Sequence, residues 1–190
     1  MLPLSFYRNP DVVSVARSLL GKSLFTCIDG ELTGGILIET EAYAGVQDRA
    51  CHSYNNRRTP RTEVMYSPGG IAYVYLCYGI HHLLNIITGE EGDPKGVLLR
   101  AIHPTHGIKT MLKRRNKTKL DPTLANGPGT LTQALGVTLQ HLRTPLNSPL
   151  LWIEETPSLP SHQIHSTPRI GVDYAGPDAL LPYRFLLERN

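Results

Sequence analysis

Residues 34–43 read GGILIETEAY, an apolar run that ends in two carboxylates and a phenol. In a strand, alternate side chains share a face, so Ile36, Ile38, Thr40 and Ala42 are expected to point one way. Glu39, Glu41 and Tyr43 then share the other. A carboxylate enters a core only when it is paired or has chemistry to perform; otherwise this is a solvated strand face. The fold class follows from what surrounds this strand. KSLFTCI (22–28) and LTGGILIETEAY (32–43) flank Asp29-Gly30, a hairpin signal. GGIAYVYLCYGIHHLLNIIT (69–88) reads as two further strands meeting at Tyr78-Gly79, and GDPKGVLLRAIHP (92–104) as another.

Helices are sparser. NPDVVSVARSLLG (9–21) predicts a helix capped by Asn9, with an apolar stripe of Val12, Val13, Ala16, Leu19 and Leu20. A basic helix is expected over 105–116 with Ile108, Met111 and Leu112 inward, and a glycine turn feeds a short helix in NGPGTLTQALGV (126–137). Residues 46–70 read as a long surface excursion, a length more often functional than idle. In the tail, LLWIEE, RIGVDYAG and YRFLLE predict short strands between Pro-rich connectors. No repeat and no long linker divides the chain. The expectation is one α+β domain over residues 1–190, a curved, largely antiparallel β-sheet with flanking helices.

The 190 residues, 41% hydrophobic and 18% charged, suit one well-cored globular domain. No apolar run approaches the roughly 18 residues of a membrane span, and the N-terminus lacks a signal-peptide pattern. Cys27, Cys51 and Cys77 have neither disulfide nor metal-ligand spacing. A cytoplasmic protein without metal or cofactor is expected. The net charge of +3 is modest, but six Lys or Arg fall within 109–119, and Arg57, Arg58 and Arg61 crowd RRTPR. Such clusters fit a polyanionic partner, or else an ordinary solvated helix.

Tyr73, Tyr75 and Tyr78 lie within six residues, near His52 in the chain's polar stretch. Aromatic groups with polar neighbours make a stacking slot for a flat ring, although tyrosine clusters also serve plain sheet packing. Residues i and i+2 of a strand stand about 6.6 Å apart, which overlaps the ~6.5–9.5 Å carboxylate separation of inverting glycosidases. Both groups face one side, however, rather than flanking a bond, so one working carboxylate is the better reading.

ILIETEAYAGVQDRACHSYNNRRTPR, GGIAYVYLCYGIHHLLNI, GVLLRAIHP, NGPGTLTQALGV and PRIGVDYAG…PYRF occur in this order. Together they resemble the alkyladenine (3-methyladenine) DNA glycosylase family from about residue 4 to 187, and not the helix-hairpin-helix alkylpurine glycosylases. The resemblance implies a mixed α/β domain that flips damaged purines from duplex DNA and hydrolyses the N-glycosidic bond without strand cleavage, acting as a monomer. By motif, Glu41 is the implied base that activates water, with Arg100 holding the water or the DNA backbone, and Ile170 a weaker candidate at the water site. Tyr43 on one side and His52 and Tyr75 on the other would sandwich the base, with Asn85 excluding the guanine amine. Tyr78 would fill the vacated stack, while Arg57, Arg58, Arg61 and Thr130 would meet DNA. Thr130 stands where relatives often carry lysine after GPG or GPS, so a phosphate contact there would be weaker or made by the hydroxyl; His81-His82 stand where other members can carry aromatics, a departure that bears on lesion choice or Tyr78 packing. A binding module without catalysis is the alternative; a carbohydrate hydrolase is disfavoured by the single Trp152 and the basic clusters.

Overall fold

The longest strand of the computed structural model, which describes residues 1–157 and 161–188, is β2, Glu31–Tyr43. Its partner before it, β1 (Ser23–Ile28), joins it through Asp29 and Gly30 at φ 56° and 77°, the positive-φ pair that a tight two-residue hairpin needs. β5 (Lys95–His106) runs antiparallel along the other edge of β2 from Gly34 to Tyr43. β3 (Ala72–Cys77) and β4 (His81–Thr88) extend the sheet beyond β5, and β6 (Leu151–Glu154) extends it beyond β1. Where β1 leaves off, β8 (Arg184–Leu187) takes the same edge of β2 and carries β7 (Ile164–Thr167). The result is an open, antiparallel eight-stranded sheet. The α+β expectation therefore holds, and no helix among the described residues is long and apolar enough to cross a membrane.

Gly34 and Gly35 mark the tightest part of this sheet. A Cβ on Gly35 would come within 2.3 Å of the His103 carbonyl oxygen, so β5 lies against bare backbone there. Just after them the alternation of β2 breaks. Leu37 pairs with Ile102, Glu39 with Ala101 and Thr40 with Leu99, so Ile38 and Arg100 are each one residue too many for the opposing strand. These two bulges correct the expected faces: Leu37, not Ile36 or Ile38, joins Thr40 and Ala42 on the fully buried side. The Thr40 hydroxyl donates to the Ala16 carbonyl of the helix below at 2.8 Å. Bulges next to each other re-aim side chains, and here they turn Arg100 towards Glu39 and Glu41.

Helices α1 (Leu4–Tyr7), α2 (Val12–Ser18), α3 (Ile108–Arg114) and α4 (Pro128–Leu135) flank the sheet. The four-residue α1 was not expected from the sequence. The cap of α2 is Asp11, whose carboxylate accepts from Val13 and Ser14, while Asn9, two residues too early to cap, accepts from the Asp11 N–H. Because β5 follows β2 as far as the Gly34–His106 pair, α3 starts three residues later than predicted, after Gly107 at φ 65°. The stretch 46–70 is a surface excursion only in its middle, where residues 54–61 are exposed; its two ends are folded down. Three 3-10 turns (Gly45–Gln47, Tyr54–Asn56, Glu63–Tyr66) fold it onto the sheet, burying Cys51, Val64, Met65 and Tyr66 against Tyr73 and Ile87. RIGVDYAG likewise forms no strand: Gly176 at φ 58° and Pro177 bend a 3-10 segment, Asp173–Leu180, over the same end of the sheet.

Candidate active site

The bulges gather two carboxylates and two guanidinium groups. Arg100 Nε donates to Glu39 Oε1 at 2.7 Å, and Arg184 Nε, from β8, donates to the same oxygen at 2.7 Å. Glu39 is thus a structural counter-ion between two strands. Glu41 is held differently. Its Oε1 accepts the Ile170 backbone N–H at 2.8 Å and faces Arg100 Nη1 at 3.3 Å, while Oε2 accepts the Tyr43 hydroxyl at 2.9 Å. Every contact comes from a donor, and the side chain has no exposed surface. Burial opposes the Arg100 charge, but Glu41 and Glu39 more than compensate and hold it above the ordinary arginine value. Burial and the Glu41 charge push the Tyr43 phenol well up, keeping it a hydrogen-bond donor.

Tyr43, Arg100 and Ile170, the three groups that grip Glu41, all line one cavity of about 420 Å³. Glu41 itself lies immediately behind them. Another part of the lining is aromatic: His52 and Tyr75 meet edge to face at 4.8 Å, and Tyr73 leans on Tyr75 at 5.3 Å. Asn85, buried on β4, lines the same space and donates to the Tyr73 carbonyl at 3.3 Å. The folded 46–70 segment supplies His52, and β3 supplies Tyr75. At the cavity rim, Tyr78 is 90% exposed and sits at φ 50°, a strained conformation for a bulky residue. The structure therefore brings Tyr43, His52, Tyr75, Tyr78, Asn85, Arg100 and Ile170 to one cavity, with Glu41 behind it.

His52 Nδ1 lies 2.9 Å from the Tyr73 hydroxyl. Burial, then the charges of Arg61 and Arg57, lower its pKa to about 4. The folded state therefore refuses a proton that the unfolded chain takes up near pH 6.5. This contribution to stability is fully present above pH 6.5 and is lost as the pH falls towards about 4, at most roughly 3 kcal/mol in all. Denaturant titrations between pH 7.5 and 4.5 should show His52→Gln losing less stability on acidification than the wild type. Parallel pH curves would assign the acid sensitivity to other groups. Burial also pushes the Cys51 thiol up, which makes it a poor nucleophile. Among the described residues no cluster of His, Cys, Asp and Glu could hold a metal ion.

The expected DNA contacts are arranged less uniformly. Arg57 is exposed, whereas Arg58 forms a two-pronged pair with Glu63 at 2.7 and 2.8 Å over the Tyr66 ring. Arg61 is exposed as well, but its guanidinium lies along the cavity wall, 4.8 Å above the Tyr75 ring. The Thr130 hydroxyl spends its proton on the Gly127 carbonyl at 2.9 Å. In the basic stretch 109–119, Arg114, Arg115 and Lys117 bond to carbonyls or side chains of this chain, leaving Lys109, Lys113 and Lys119 exposed.

Sequence reasoning missed the groups that brace the site. Arg169 is 5% exposed and pairs through both terminal nitrogens with Asp48, at 2.5 and 2.8 Å. It also donates to the Ala42 and Asp178 carbonyls, and its guanidinium lies 4.9 Å from the centre of the Tyr43 ring. Asp48, Arg169 and Arg184 stand inside or beside the blocks quoted above, but no linear spacing links Asp48 with Arg169, 121 residues away.

The family model described as methylpurine-DNA glycosylase (MPG) matches residues 5–190. A protein of Chlamydia felis named "Putative 3-methyladenine DNA glycosylase" is 51% identical over 188 residues, 98% of this chain and 96% of the relative. Proteins of the same name from Chlamydia pneumoniae and Bacillus mycoides are 47% and 45% identical, covering 98% and 99% of this chain and 95% and 96% of their own.

Proposed function

The chain belongs to the methylpurine-DNA glycosylase family, and from that premise we propose that it excises alkylated or deaminated purines from duplex DNA with a water activated by Glu41. The observation that carries this reading is the carboxylate behind the cavity, held by Ile170 N–H, Tyr43 and Arg100. A base inside a duplex is unreachable, so it must be extruded, and damaged or mispaired bases leave the stack at lower cost. In the cavity, the purine would lie between Tyr43 and the His52–Tyr75 wall. Asn85 beneath it would crowd the exocyclic amine of guanine. A water would be admitted to Glu41 beside Arg100, the loosest of its contacts at 3.3 Å.

Glu41 would take the water's proton as the C–N bond opens, and its charge would favour the oxocarbenium-like sugar. The water oxygen joins the anomeric carbon, and the bonding electrons leave with the base. A base methylated at a ring nitrogen already carries positive charge and leaves readily, so no strong general acid is required. Among the described residues no lysine lines the cavity, which supports hydrolysis without a Schiff base. The product would be an abasic site in an unbroken strand, made by a monomer. The full burial of Glu41 favours one competing reading, a lesion-binding module in which the carboxylate only props the wall. Release of free base from alkylated duplex DNA decides between them; a wild type that binds lesions and releases nothing would establish the binding module.

Tyr78 offers a separate check. A ring at φ 50° on a hairpin tip, 90% exposed, contributes little to the core. If it fills the gap left by the flipped nucleotide, it restores stacking of about 1–3 kcal/mol. Tyr78→Ala should then bind lesion duplex roughly 5- to 150-fold more weakly. The same lesion in a single strand, with no stack to repair, should be nearly unaffected, and thermal stability should not fall. Equal losses on both substrates would place Tyr78 in the base pocket instead.

A further inference from the structure

Arg61 occupies a position that the excision of a base does not explain. Its guanidinium lies 4.8 Å above the Tyr75 ring, and Nη2 is 3.4 Å from His52 Nε2. It lines the cavity, and among the described residues no carboxylate pairs with it. Its neighbours differ on this point. Arg58 is matched by Glu63, Arg100 by Glu39 and Glu41, and Arg169, which covers the Tyr43 ring, by Asp48. Arg61, although exposed, is thus a cation without a carboxylate partner on the aromatic wall of the slot.

An aromatic face attracts a cation through its quadrupole, and a second cation near an occupied ring meets the first one's charge. We propose that Arg61 is a specificity-determining residue whose guanidinium, seated on the Tyr75–His52 wall, biases the slot against positively charged alkylated bases and towards neutral purine lesions. The inference rests on the slot accepting a flipped purine, as set out above, and adds the charge class of that purine. A neutral purine can accept a hydrogen bond from the guanidinium through a ring nitrogen or carbonyl. A cationic purine must push it aside or bear its repulsion. His52 already senses the same field: after burial, Arg61 and Arg57 are what keep a proton off its ring.

The test compares two duplexes in single-turnover reactions, one methylated to carry cationic 3-methyladenine and one carrying neutral hypoxanthine. The quantity read is the ratio of the two excision rates. Arg61→Met, which removes the charge and keeps the length, should raise the cationic-to-neutral ratio about tenfold. Arg61→Lys, which keeps the charge, should leave it within about twofold. A ratio unchanged or lowered in Arg61→Met, including a parallel fall on both lesions as for a plain phosphate contact, overturns the inference. The same variants in a Glu41→Gln background give the ratio of affinities for the two duplexes. A wild type that excises neither lesion would remove the proposed reaction, while the affinity ratio would still decide the role of Arg61.

Discussion

Glu41→Gln is expected to leave the protein folded and able to hold lesion DNA, while base release slows by about 10²- to 10⁴-fold. The substitution is nearly isosteric, and its contacts can survive. The amide oxygen can accept from Ile170 N–H and Arg100, as Oε1 now does at 2.8 and 3.3 Å. The amide nitrogen can donate to the Tyr43 oxygen, reversing the present 2.9 Å bond. What is lost is the ability to take a proton from water. Glu39→Gln, two residues away, should behave in the opposite manner. Glu39 Oε1 serves Arg100 and Arg184 together, so its loss weakens the joint between β2, β5 and β8 and costs stability before it costs chemistry. Single-turnover base release beside urea denaturation separates the two. Should Glu39→Gln prove the slower enzyme at equal stability, the assignment of the base would have to move from Glu41.

Why the sequence showed the cavity better than its supports is a matter of range. The hairpins at Asp29-Gly30 and Tyr78-Gly79 are local, since turn chemistry and alternation of side chains act over a few residues. Glu41, Tyr43 and Tyr75 were legible for the same reason, each sitting on a strand whose pattern names its face. The two bulges were not, because a bulge is a mismatch between two strands, and nothing within GGILIETEAY shows that β5 inserts Arg100 opposite it. Residues 46–70 look polar in composition, and 54–61 stay exposed, yet Cys51, Val64, Met65 and Tyr66 are enough to fold the flanking parts down when Tyr73 and Ile87 offer a surface. Charge clustering was the least reliable guide. RRTPR contains three arginines with three different surroundings: solvent, Glu63 and the ring of Tyr75.

Asp48→Ala is expected to cost about 3–5 kcal/mol of folding stability, the range for stranding a buried charge. Four donors converge on this carboxylate: the backbone N–H groups of Ala44 and Ala50 and both terminal nitrogens of Arg169. With alanine in its place, Arg169 keeps a charge inside the protein with only the Ala42 and Asp178 carbonyls to receive it. The damage would reach the chemistry along two short paths. Arg169 backs the Tyr43 ring at 4.9 Å, and the residue after it supplies the N–H that holds Glu41. The protein that remains folded should therefore excise bases more slowly as well as unfold more easily. Asp48→Asn should fall between, since its one remaining carbonyl oxygen can still accept from Arg169. Pairing Asp48→Ala with Arg169→Met removes the stranded charge, so the double variant should be more stable than the sum of the single losses predicts by about 1–3 kcal/mol. Urea midpoints for the four proteins of this cycle supply the measurement. Strict additivity would mean that the two residues brace the site independently, and the coupling drawn here between the 44–50 turn and the Arg169–Ile170 segment would not exist.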